Sequence, residues 1–144
     1  MKPYYSTSLG KAYLSSIEDF TDSIASNRLR DKVDLIVTSP PYPLVSPKAY
    51  GNKVGHEYLQ WIKTVFENCL PMLKESGSLV IEIGNAWNKG LPTMSTLPVE
   101  TLLHLKTELN LNLCQMLIWE NPNKLPGPAT WVNTRRIRVK DSFT

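Results

Sequence analysis

The residues with the clearest chemical purpose are Thr38-Ser39-Pro40-Pro41-Tyr42, which follow directly on the apolar, β-branched run Val33-Asp34-Leu35-Ile36-Val37. Proline fixes φ at about −65° and donates no N–H, so two in succession make a rigid loop whose carbonyls are left to point outward. A serine hydroxyl beside those carbonyls forms a cluster of hydrogen-bond acceptors. Tyr42 adds a flat apolar face with a polar tip. A base carrying an exocyclic amine matches this set. Its amine donates one hydrogen bond to the Ser39 oxygen and one to the Pro40 carbonyl, while its ring stacks on Tyr42, a contact worth roughly 1–3 kcal/mol. A proline pair alone marks no more than a polyproline linker or a turn. The strand leading in, the serine before and the aromatic after set this run apart, because open α/β sheets bind ligands beyond the carboxyl ends of their strands.

The elements that must position this loop are legible in the patterning. Residues 9–14 suit a short strand and 16–24 a short helix carrying Ile17, Phe20 and Ile24. The near-continuous apolarity of Val33–Thr38 predicts a strand buried on both faces of a parallel sheet. From 56 to 74, Tyr58, Trp61, Ile62, Val65, Phe66, Cys69, Leu70 and Leu73 recur at helical spacing, with Gly77 placed to end the helix. Ser78–Ile83 predicts a second strand closing on Gly84-Asn85, residues 97–109 a helix with Val99, Leu102, Leu103 and Leu109 on one stripe, and 113–119 a third strand. Alternation of this kind argues for an α/β fold with a mostly parallel sheet. A doubly wound domain usually has five or more strands. The sheet is expected to be incomplete, and Arg136-Ile137-Arg138-Val139-Lys140 reads as a strand just developing where the sequence stops.

Composition sets the outer bounds. The 144 residues, 42% hydrophobic and 20% charged, suit one globular domain. A net charge of +3 permits a nucleic-acid partner without demanding one. Cys69 and Cys114 each lie inside an apolar segment and read as buried, reduced thiols, neither a disulfide nor a metal pair. The start, Met-Lys-Pro-Tyr-Tyr, has no apolar core of a secretory signal. No apolar run approaches the ~18 residues a membrane span needs, so a cytoplasmic location is expected.

Val-Asp-Leu-Ile-Val-Thr-Ser-Pro-Pro-Tyr resembles the catalytic motif of the amino-group DNA methyltransferases of restriction–modification systems, and a serine in its first position resembles the cytosine-N4 branch. Gly77-Ser78-Leu79-Val80-Ile81-Glu82-Ile83-Gly84-Asn85 resembles that family's next strand. Trp119-Glu120-Asn121-Pro122-Asn123-Lys124-Leu125-Pro126, running on to Trp131-Val132-Asn133-Thr134-Arg135-Arg136, resembles its base- and DNA-contacting loop. The resemblance implies a partial Rossmann-like methyltransferase fold over residues 1–144, with S-adenosylmethionine as methyl donor and double-stranded DNA as partner. It implies that the target cytosine is flipped into a pocket, where Ser39, Pro40 and Tyr42 serve as catalytic residues and Pro41 lines the base. Asn121 and Lys124 would contact DNA. Arg135, Arg136, Arg138 and Lys140 would meet phosphates, or else form a solvated strand face. Asn85 and Trp87 would touch base or cofactor, or else be a turn residue and a core aromatic. His56 and His104 read as surface or packing residues, and no metal or membrane is implied.

In two places the sequence departs from the family pattern. Where an acidic residue for the cofactor adenosine is expected after the first short strand, the sequence has Tyr13-Leu14-Ser15-Ser16, with Glu18 and Asp19 as the nearest substitutes. The Phe-x-Gly-x-Gly turn that would hold the cofactor, expected after the catalytic segment together with the target-recognition region, does not occur. The expectation is a fragment, or one chain of a split enzyme whose separate partner carries those parts, with an apolar sheet edge left exposed. Its alternatives are an inactive remnant that binds DNA weakly or pairs with another protein, and an adenine-N6 enzyme.

Overall fold

The computed structural model describes residues 1–42, 51, 53–84, 88, 91 and 93–119. The chain divides into two compact units, the first formed by Met1–Pro40 with Trp61–Glu82 and the second by Pro41–Gln60 with Ile83–Thr144. It is a mixed α/β structure with a small parallel sheet.

In the first unit, strands β1 (Tyr5–Ser6) and β2 (Lys11–Ala12) pair as an antiparallel hairpin. Its turn is held by the Thr7 hydroxyl, which accepts from the Gly10 N–H at 3.0 Å and the Leu9 N–H at 3.2 Å. The helix expected over 16–24 is instead two, α1 (Ile17–Thr21) and α2 (Ile24–Asn27). Serine explains the break. Ser16 caps α1 by accepting from the Asp19 N–H at 3.1 Å, and Ser23 restarts the chain as the cap of α2, accepting from the Ser26 N–H at 3.3 Å.

Strand β3 (Val33–Thr38) falls where the apolar run predicts it. It pairs in parallel with β4 (Leu73–Ile81), with Leu35 opposite Ser78 and Thr38 opposite Ile81. The helix expected over 56–74 is shorter: α3 covers Gly55–Cys69, and a 3-10 turn over Leu70–Met72 follows. Pro71 is the cause, since its ring and missing N–H bar an α-helix from running through it. The freed carbonyls of Pro71 and Met72 accept from the Asp31 N–H at 3.1 Å and the Lys32 N–H at 3.2 Å, which leads the chain from the turn into β4.

Gly77 therefore lies inside β4 and does not end a helix. It sits at an irregularity of register between Val33 and Leu35, where β4 carries Lys74–Gly77 opposite Asp34. A Cβ at Gly77 would lie 2.9 Å from the Lys74 carbonyl oxygen and 3.0 Å from both the Val33 carbonyl oxygen and Leu73 Cδ2. The Lys74 ammonium meets the Asp34 carboxylate at 2.6 Å across the same step.

The core of the first unit is the inner face of α3, where Ile62, Val65, Phe66 and Cys69 are buried together with Met72. Burial, and next the nearby Glu18 carboxylate, push the Cys69 thiol up from its ordinary pKa. The second unit buries Tyr58, whose phenol burial pushes up to about 12, with Leu97, Thr101 and Leu105 of α4 (Leu97–Glu108). The expected stripe on α4 is corrected, since Val99 and Leu103 are exposed. The four-residue row Leu97–Thr101–Leu105 faces inward because Thr101 satisfies its own hydroxyl on the Leu97 carbonyl at 2.7 Å and so behaves as a core residue.

Three more expectations change. Residues 113–119 form no strand, and Leu113, Met116, Leu117, Ile118 and Trp119 are exposed. A β-prone sequence becomes a strand only beside a ladder partner, and the described residues provide none for it. Cys114, in that segment, is exposed and not buried. β3 is covered on one face only, with Leu35 and Val37 exposed. Arg136–Lys140, read as a developing strand, lies outside the described residues.

Two measurements check this packing. Gly77→Ala is expected to lower unfolding stability by about 1–3 kcal/mol in urea melts, because two backbone oxygens must move to admit the methyl group. Brief alkylation of the native protein, followed by peptide mass spectrometry, is expected to label Cys114 and spare Cys69 until denaturant is added.

Candidate functional site

The loop that carries the acceptor cluster is positioned by the β3–β4 ladder. Pairing runs to Thr38 opposite Ile81, and the Glu82 N–H then donates to the Thr38 carbonyl at 2.9 Å, one step beyond. No further ladder bond of this kind is possible from the next segment, because Pro40 and Pro41 lack the N–H that continued pairing needs. The strand thus delivers Ser39 and Pro40 to the carboxyl end of a parallel pair, the end where such sheets hold ligands. Ser39 is exposed, Pro40 buried, Pro41 exposed and Tyr42 half-buried. An exposed hydroxyl on a buried proline anchor suits a group that must meet a partner from outside with little freedom to turn away.

Ser39 and Pro40 close the first unit, and Pro41 and Tyr42 open the second. Within the second unit the Tyr42 ring rests on Gly84. A Cβ on Gly84 would lie 2.9 Å from Tyr42 Cε2, 3.0 Å from Cδ2 and 3.3 Å from Cζ. Gly84 is therefore a seat for the aromatic ring, and it is the residue that sequence reasoning missed in this role. The signal was available. A glycine following the parallel neighbour of the motif strand stands at the same sheet end as Tyr42, and the absence of a side chain there makes room for a ring.

The remaining candidates divide plainly. Asn85, Trp87, Asn121, Lys124, Arg135, Arg136, Arg138 and Lys140 lie outside the described residues. His56 is exposed on α3, and His104 is half-buried on α4 with no hydrogen-bond partner at its buried Nε2. Among the described residues no cluster of histidine, cysteine and carboxylate side chains could hold a metal ion. Nor is any helix among them long and apolar enough to cross a membrane.

The two acidic substitutes behave differently from each other. The Glu18 carboxylate accepts from the Trp61 indole N–H at 3.0 Å, which ties α1 to α3. Asp19 lies in the first turn of α1, where its N–H satisfies the Ser16 cap. Ser15 is exposed. Gly84, the nearest glycine in kind to a cofactor turn, gives its open space to Tyr42 and not to a ligand. The described residues therefore do not build a site for an adenosyl methyl donor.

The chain is similar to known proteins over nearly all its length. Residues 33–142 match the family model described as DNA methylase. It is 37% identical over 141 residues to Type II methyltransferase M.PvuII of Proteus hauseri, an alignment covering 98% of this chain and 41% of that protein. With Type II methyltransferase M.BglII of Bacillus subtilis it shares 40% identity over 58 residues, covering 40% of this chain and 16% of the relative. The solved structure of PvuII DNA methyltransferase (cytosine-N4-specific) superposes with a TM-score of 0.75 at 37% identity, covering 98% of this chain and 49% of that one. The chain thus spans less than half the length of these relatives. Its fold is that of part of the solved structure, in agreement with the expected partial Rossmann-like α/β architecture.

Gly84→Ala tests the seat. In spectra of protein with labelled tyrosines, one resonance, assigned by its loss in Tyr42→Phe, is expected to shift while the other tyrosines hold. An unchanged Tyr42 resonance would show that the ring does not rest there.

Proposed function

The chain belongs to the DNA methylase family, and from that premise we propose that it carries the target-base half of a methyltransferase acting on the N4 amine of cytosine in double-stranded DNA. The observation that carries this reading is the Ser39-Pro40-Pro41-Tyr42 loop at the carboxyl end of β3, with Ser39 exposed and the Tyr42 ring seated on Gly84. The cytosine target is supported by the serine that opens the motif and by the cytosine-N4 specificity named for the solved relative.

On this reading a flipped cytosine lies with its ring on Tyr42 and its amine toward Ser39. The Ser39 oxygen accepts one amine hydrogen and the Pro40 carbonyl the other, so the nitrogen lone pair is aimed away from both. The work is positioning and electrostatic, with no covalent intermediate and no need for either cysteine. Pro41 lines the base. Asn121 and Lys124 contact DNA, while Arg135, Arg136, Arg138 and Lys140 meet phosphates and lend binding its salt dependence. Asn85 and Trp87 are assigned to the cofactor side. The donor, S-adenosylmethionine, is held chiefly by a portion of the methylase outside the described residues, and residues 1–144 act as one part of a catalytic domain.

The test is transfer of labelled methyl groups to DNA by the chain alone, and by the chain with the part of M.PvuII that it does not match. The product is digested to nucleosides. N4-methylcytosine is expected; N6-methyladenine would overturn the assignment of the base, and no transfer in either arm would overturn the enzymatic reading. Ser39→Ala is expected to lower turnover about 10²–10³-fold, the usual cost of deleting one preorganised hydrogen-bonding group, while DNA affinity stays within about twofold. If turnover survives the change, the pocket is wrong.

A further inference from the structure

Strand β3 shows a bare apolar face. Leu35 is 53% exposed and Val37 66%, and Val80 on β4, which pairs directly with Val37, is 46% exposed. Leu35 and Val37 are two residues apart and so share one face, and the register places Val80 beside them. The three side chains make a continuous stripe within the first unit. The alternate residues Ile36, Thr38, Leu79 and Ile81 are half-buried, so the sheet is covered on one side and open on the other.

A parallel sheet does not keep one face in water. Its crossover helices cover both faces, which is why its strands read as continuous apolar runs. Val33–Thr38 has that composition but only half of that burial. The pair also has two unpaired strand edges, since β3 and β4 form a sheet of two. A second observation, in the other unit, points the same way: Leu113, Met116, Leu117, Ile118 and Trp119 form an exposed β-prone run with no ladder.

We propose that the Leu35–Val37–Val80 face is a docking surface for the complementary half of a DNA methylase domain, an α/β segment that lays an amphipathic helix on this stripe. The lengths identify the occupant. The chain accounts for 49% of the solved relative and superposes on it with a TM-score of 0.75, so half of that molecule is left to supply the missing cover. The stripe itself carries no charge, as an interface core requires. The inference rests on family membership and not on the target base, so it is read by association, without DNA or methyl donor.

The unmatched portion of M.PvuII is co-expressed with this chain and the pair is analysed by affinity capture and size-exclusion chromatography with light scattering. A one-to-one complex is expected. Val37→Asp, which puts a charge in the middle of the stripe, is expected to weaken the complex at least roughly 30-fold, as for loss of a central contact. Because Val37 is exposed in the chain alone, the variant is expected to keep its circular dichroism and melting temperature. Lys11→Glu, on the hairpin, serves as a control and leaves association unchanged. A monodisperse monomer that ignores the M.PvuII portion overturns the proposal. So does a homodimer broken by Val37→Asp, which assigns the face to a second copy, and so does a complex that Val37→Asp leaves intact.

Discussion

The parallel ladder between β3 and β4 is the constraint on which the rest depends. Its register, from Leu35 opposite Ser78 to Thr38 opposite Ile81, decides which residues leave the sheet and at what height. A slip by one residue would turn every side chain of β3 to the opposite face. The irregularity at Lys74–Gly77 guards against such a slip, because only a residue without a Cβ fits against the Val33 and Lys74 carbonyls. The proline pair then converts this register into a place for chemistry. It ends the ladder at a defined step, so that the exposed Ser39 follows a strand it cannot slide along.

Hydrogen bonding by the chain's own small polar residues does much of the remaining shaping. Ser16 and Ser23 start separate short helices, Thr7 closes the hairpin, and Thr101 enters the second core by returning its hydroxyl to the Leu97 carbonyl. In each case a polar group is satisfied locally, which costs no long-range partner. The two apolar cores need only a few residues as a result. In the first, one helix face and Met72 suffice.

Local information determined what was legible beforehand. The β-branched run of β3 and the proline pair that ends it are signals contained in consecutive residues, and both stand where expected. The Tyr58–Cys69 part of the helical periodicity was also readable, while its end was not, because the pattern of apolar spacing ran on through Pro71 into β4. The failures share one cause. Residues 113–119 have the composition of a strand, and the stripe of Val99 and Leu103 the spacing of a helix face, but burial and pairing are decided by neighbours distant in sequence. At the site, Ser39, Pro40 and Tyr42 could be named from type and order. The part played by Gly84 depends on which strand adjoins β3.

The contact between Tyr42 and Gly84 has an evolutionary side. The ring fills the space a side chain would take, so the two positions share one fixed volume. Selection acting on either acts on both: a larger residue at 84 is admissible only in a lineage that has already given up, or re-aimed, the aromatic at 42. Among homologues the pair should therefore change in concert. A glycine with no chemistry of its own would then follow the history of the residue that meets the base.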